Sequence, residues 1–236
     1  MLYLHETITI VPWTEEEFWD IVETDYVPSV EQNGLRLVGL FKVGIQYSKN
    51  CAIWEMDDWA SLDRITEFHD KNPWMQTWKA EALRYRTDWT SKVLEPASFS
   101  PTLAQLKEGE YSSTFYLHCL ARVLPGKADE YMTAIGEEIV PMAGRWGMKL
   151  VGCYQTVAGE ADSNEVIHIW TAGDANAHWG TIREAARNDP ALKKWEAKAG
   201  TWRPEVTYRF LYGLVPFSPL HMKDELLDVM RLMRKT

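Results

Sequence analysis

The chain opens on alternating apolar and polar positions. Between residues 3 and 11, Leu4, Ile8 and Ile10 fall on one face of an extended strand, and Tyr3, His5 and Thr7 on the other. At Thr14 the period changes. Phe18, Val22 and Tyr26 recur at helical spacing over 14–32, and Thr14 followed by Glu17 reads as a capping box. Gly34 marks a turn. Strands are predicted over 35–46 and 51–56, then a helix started by Asp58 and interrupted at Pro73, then a weaker strand over 84–95. The same succession returns at 116–124, 128–145, 148–157, 165–171, 174–200 and 204–214. Each half therefore predicts β-α-β-β-α-β, the ferredoxin-like order in which an antiparallel four-stranded sheet carries both helices on one face.

The two halves also repeat residue by residue. Tyr3-Leu4-His5 returns as Tyr116-Leu117-His118, Val27-Pro28 as Val140-Pro141, and Gly34, Leu37, Val38 and Gly39 as Gly147, Leu150, Val151 and Gly152, all at an offset of 113. The offset then grows slightly: Trp54 matches Trp170, Asp58 matches Asp174, Trp78 matches Trp195, and Phe99-Ser100-Pro101 matches Phe217-Ser218-Pro219. A period this long predicts repeated small domains and not a solenoid. The expected fold class is α+β: tandem ferredoxin-like βαββαβ domains at 1–101 and 114–219, joined by a linker at 102–113 and followed by a C-terminal helical extension at 220–236. A ferredoxin-like sheet leaves one face bare. Two copies satisfy each other if those faces oppose and enclose a barrel.

Composition narrows the function. Of 236 residues, 46 % are hydrophobic, enough for a large core. A formal charge of −9 argues against a general nucleic-acid binder, which needs a phosphate-neutralising patch. Cys51, Cys119 and Cys153 have neither metal-type spacing nor a disulfide pattern, which points to a reducing, cytoplasmic setting. No apolar run reaches membrane-spanning length, and no basic, apolar leader opens the chain. Twelve tryptophans are many for this length, and they serve equally to wall a pocket or to fill a core.

The Tyr-Leu-His opening strand, the helix ending near Val-Pro, the Gly-x-x-Leu-Val-Gly entry to the second strand, and Val166-Ile167-His168-Ile169-Trp170 before Asp174 resemble a NIPSNAP-type domain, here in two fused copies. That family lies within the dimeric α/β-barrel superfamily. The resemblance implies a ligand pocket between a sheet and its helices. It implies the place of that pocket far better than its chemistry, since the superfamily holds oxygenases, isomerases, dehydratases, cyclases and lyases.

Several residues carry the chemistry. His5 and His118 occupy equivalent first-strand positions and are expected to face the barrel interior, with Tyr3 and Tyr116 on the same faces. His168 sits on the third strand with Val166 and Trp170, and is expected to approach His118 across adjacent strands. Ala52 stands at its place in the first half, so the second half is the expected active one. The catalytic candidates are His118, His168, Tyr116 and Tyr154: histidine as acid and base, tyrosine as donor to an oxyanion. Tyr3, His5, Trp54 and Trp170 are the substrate-binding candidates. Arg84, Arg86, Arg203 and Arg209 flank the fourth strands and offer charge to an anionic group. Trp13 and Trp19 are expected to be exposed, and Trp74, Trp78 and Trp195 to seal the second helices. No nucleotide loop, serine-hydrolase elbow or zinc helix is present in the sequence.

The reading placed first is a small-molecule enzyme using histidine acid–base chemistry on an apolar or aromatic substrate bearing a carbonyl or hydroxyl: a cofactor-free isomerase, lyase, cyclase or monooxygenase. The alternatives are a non-catalytic ligand-binding or protein-interaction module, and a heme protein with His168 or His178 as axial ligand. No cofactor and no metal site are predicted. The expected partner is an apolar or aromatic small molecule, with no nucleic acid and no membrane, and homo-oligomerisation is left open.

Overall fold

The computed structural model describes residues 1–46, 48–159, 164–174, 176–223 and 226, the side chain of Asn176 excepted. The first half runs β1 (Leu2–Ile10), α1 (Glu15–Ile21), α2 (Val27–Glu31), β2 (Arg36–Val43), β3 (Lys49–Met56), α3 (Trp59–Lys71), α4 (Pro73–Ala82) and β4 (Arg86–Pro96). A short α5 (Leu103–Glu108) follows. The second half runs β5 (Phe115–Arg122), α6 (Ala128–Ala134), α7 (Val140–Arg145), β6 (Leu150–Gly159), β7 (Glu165–Thr171), α8 (Asn176–Asn188), α9 (Pro190–Ala199) and β8 (Glu205–Tyr212). The eight strands close into one antiparallel barrel in the order β1-β3-β2-β8-β5-β7-β6-β4. Closure pairs every sheet edge. The two seams are unequal. β4 meets β6 from Lys92 to Pro96, whereas β2 meets β8 through Lys42 against Tyr212 and Val43 against Leu211.

Local chemistry explains most boundaries. Asp58 starts α3 by accepting from the Ser61 N–H, as its position predicts, and Asn72 starts α4 by accepting from the Trp74 and Met75 N–H groups just before Pro73. The first helix departs from expectation twice. Thr14 makes no side-chain cap, and its hydroxyl donates to the Val11 carbonyl instead. The helix also widens into a π turn at Val22–Tyr26, where the Val27 N–H reaches the Val22 carbonyl. The matching helix does the same at Ile135–Ile139. Pro28 and Pro141 follow these turns and have no N–H to continue the α ladder, so a wider turn here loses little. Gly34 and Gly147 end these helices with φ of 92° and 78°, a conformation that side chains disfavour.

Three cores result. One packs the outer face of β1–β4 against α1–α4, a second packs the outer face of β5–β8 against α6–α9, and the third fills the barrel. The segment expected to be a plain linker is structural. Thr102 and Gln105 form a reciprocal capping box, and α5 drops Leu103 and Leu106 into the barrel core. The repeated Phe-Ser-Pro tripeptides make crossed contacts. Ser100 accepts from the Cys153 N–H of β6, and Ser218 accepts from the Leu40 N–H of β2. Leu220 joins the barrel core, and most of the predicted C-terminal helix lies outside the described residues. Among the described residues no helix is long and apolar enough to cross a membrane.

Candidate functional site

β5 and β7 lie side by side, with His118 opposite Ile169 and Cys119 opposite His168. Directly opposed residues share a face, and neighbours along a strand alternate. His168 therefore joins Cys119 and Trp170 on the helix-facing side, while His118 faces the barrel interior. The expected pairing of His118 with His168 is corrected: adjacent strands bring them near, but on opposite faces of the wall.

On the helix side of the second half is a cavity of about 280 Å³. Tyr131, Ile139, Trp170, Trp179 and Trp195 supply much of its apolar wall; His168, Arg203 and Tyr208 supply polar groups. The equivalent space in the first half measures about 10 Å³. There Tyr26 stacks on Trp78 with ring centroids 4.5 Å apart, and Trp89 closes edge-on against both. Ile139 stands at the position of Tyr26 in the repeat, so the second half lacks the ring that fills the first. The two tryptophans expected to share a cavity are thereby separated. Trp170 lines the open space, whereas Trp54 is packed in the filled core and donates to the buried Glu6 carboxylate at 2.8 Å.

His168 is 6 % exposed, and its Nδ1 lies 2.7 Å from Trp170 Nε1. An indole nitrogen only donates, so His168 Nδ1 accepts and the neutral ring carries its proton on Nε2. That Nε2 is buried without a hydrogen-bond partner. Burial, reinforced by the nearby Arg203, lowers the His168 pKa to about 3. His168 is thus a neutral donor at physiological pH. Arg203, with 4 % of its side chain exposed, pairs with Glu196 at 2.5 Å and reaches the Tyr208 hydroxyl at 3.4 Å. Arg183 and Arg187 stand on α8 at the cavity rim.

The remaining predicted residues gather inside the barrel. His5 and His118 meet there, Nε2 to Nε2 at 3.0 Å, with Cys51 Sγ 3.3 Å from His5 Nε2. Tyr3 donates to Glu55 at 2.8 Å, and Tyr116 donates to the Tyr111 carbonyl at 2.9 Å. The Tyr154 hydroxyl is buried without a partner, its ring 4.8 Å from that of Tyr3. Burial raises the pKa of all three tyrosines. None of Tyr3, His5, Tyr116, His118 and Tyr154 lines the helix-side cavity.

Sequence reasoning missed Tyr131, Trp179 and Tyr208 as cavity residues. The substitution of Ile139 for Tyr26 at offset 113 was the available signal. Trp19, expected to be exposed, is 5 % exposed and donates to Asn50, whereas Trp13 is 96 % exposed. Trp78 and Trp195 are buried as expected, and Trp74 is 40 % exposed. The heme alternative does not fit His168: an axial histidine presents a ring lone pair to iron, and Trp170 occupies the one this ring has. His178 is exposed on α8, with its ring against Gly173.

Residues 122–219 match the NIPSNAP family model. No curated protein matches the chain. Among solved structures, an anthrone oxidase-like protein is 12 % identical with a TM-score of 0.61, over 89 % of this chain and 90 % of that one. A Lactobacillus acidophilus protein, named provisionally as a monooxygenase, is 16 % identical with a TM-score of 0.58, over 89 % and 92 %. A NIPSNAP domain protein from Burkholderia xenovorans is 23 % identical over 43 % of this chain and all of its own, with a TM-score of 0.40. The first two likenesses extend the barrel fold over nearly the whole chain.

Proposed function

From a chain whose residues 122–219 carry a NIPSNAP domain, we propose a binding site, in the second half, for an apolar, ring-bearing small molecule with an acceptor oxygen. The observation that carries this reading is the unpartnered Nε2–H of His168 on the wall of a largely apolar cavity. A buried donor left unsatisfied costs about 1–3 kcal/mol, which a ligand oxygen would recover. Trp170, Trp179 and Trp195 offer ring faces, and Arg183 and Arg187 favour an anionic group at the rim.

The reaction class we assign is stabilisation of an enolate or phenolate oxygen by a preorganised donor, as cofactor-free oxidation or isomerisation of such compounds requires. The name of one fold neighbour, anthrone oxidase-like, accords with that ligand class. The acid–base role first expected of His118 has no place here, because His118 faces the other side of the wall. We further infer that the halves are tandem ferredoxin-like units. The crossed serine contacts at Leu40 and Cys153, themselves at the repeat offset, support it.

The test is quenching of tryptophan fluorescence by polycyclic phenols and ketones, compared with their parent hydrocarbons. Oxygenated ligands should bind more tightly. His168→Leu should weaken them about tenfold, the worth of one hydrogen bond, and leave the hydrocarbons unchanged. Equal loss for both classes would reduce His168 to a packing residue. Turnover of a bound ketone or phenol separates the enzyme from the pure binding module.

A further inference from the structure

Inside the barrel, away from the helix-side cavity, three donor atoms converge. His5 Nε2, His118 Nε2 and Cys51 Sγ all lie within 4.8 Å of one another, and all three residues are buried. We propose that His5, His118 and Cys51 form a three-coordinate site for copper(I).

Hydrogen bonding alone satisfies this cluster poorly. His5 Nε2 is approached by His118 Nε2 at 3.0 Å and by Cys51 Sγ at 3.3 Å. A ring nitrogen has one lone pair or one proton to offer, so one of the two contacts is surplus. A metal ion at the common centre takes all three lone pairs at once. Two imidazoles and a thiolate are a donor set that suits copper and zinc and disfavours magnesium and calcium.

Charge selects between the two. Cys51 is buried among apolar side chains, and its sulfur binds a metal as the thiolate. On binding, the S–H bond breaks, a metal–sulfur bond forms and the proton leaves to solvent. With copper(I) the centre is then neutral. Zinc(II) would leave one positive charge among Ile53, Ile167 and Ile169, near the Arg209 guanidinium and the Lys92–Glu165 ion pair. Uncompensated charge in such surroundings is strongly disfavoured. Lys92 pairs in register with His5, and Arg209 with His118, and both line a depression of about 240 Å³ with Leu120 and Glu165.

The test is anaerobic competition between the full-length protein and a chromophoric copper(I) chelator. One copper(I) per chain should be withdrawn from the chelator. Cys51→Ala and His118→Gln should each weaken binding by at least about 100-fold, beyond the loss typical of groups that only support a ligand. Cys153→Ala, on the opposite face of the wall, should bind as the wild type does. X-ray absorption on the loaded wild-type protein should show one sulfur and two nitrogens at copper, which keeps the test independent of any variant that misfolds. Failure to compete, equal retention by a folded Cys51→Ala, a shell without sulfur, or zinc held in preference to copper(I) would each overturn the site. None of these outcomes bears on the helix-side cavity, so the two proposals fail separately.

Discussion

Because a tryptophan N–H cannot accept, Trp170 fixes the His168 tautomer for as long as their 2.7 Å contact lasts. The first half spends the equivalent indole differently: Trp54 donates to Glu6, whose carboxyl is raised to about 7 by burial. One repeated residue thus orients a donor in one half and a carboxylate in the other. Which of these obtains was not readable from spacing, because the histidine and the glutamate sit on different strands. The exchange that opens the cavity is equally local. Ile139→Tyr should restore the ring that Tyr26 provides and fill the space beside Trp195, on which Tyr131 already stacks. Ligand binding measured by fluorescence should fall at least about tenfold, and the melting temperature should hold or rise, since filling a void recovers contacts. Undiminished binding would place the ligand elsewhere.

At the scale of the element, the hydrophobic period located every strand and helix pair, because each strand puts one face on a helix and the other inside the barrel. Three features escaped it. The π turns follow from a missing proline N–H, which leaves no apolar signature. The helix α5 is too short for periodicity to resolve, although Thr102 and Gln105 have the spacing of a capping box. The facing of β7 depends on register, and a shift of one residue reverses it. That single parity separates the expected His118–His168 pair from the one found, His5–His118. The caps provide a direct comparison. Asp58→Ala should lower the urea midpoint measurably, because its carboxylate holds the Ser61 N–H. Thr14→Ala should cost clearly less, because Thr14 caps no amide. Equal costs would mean that the sequence-level capping box forms in solution.

For the whole molecule, four buried or half-buried imidazoles bear on stability. Burial lowers His5 and His69 to about 4, His168 to about 3, and His118 well below its ordinary value. Between about pH 4 and 6.5 the unfolded chain binds protons at these positions that the folded chain refuses, so stability falls as pH falls through that window. Glu6 acts in the opposite sense, since its raised pKa lets the folded chain hold a proton below about pH 7. Four histidines outweigh one carboxyl. The melting temperature should drop by several degrees from pH 7 to 5, and His168→Leu should flatten the slope. A melting curve insensitive to pH would mean that the imidazoles are hydrated in solution. The ring of strands has a consequence of its own. Its two joins differ in length, so thermal breathing will part the short one, at Lys42 and Val43 against Leu211 and Tyr212, well before the other. A hoop that opens at one clasp becomes a ribbon with two free edges. Each edge can be completed by the opposite edge of a second ribbon, so this clasp is where two chains would exchange halves and close into a doubled ring.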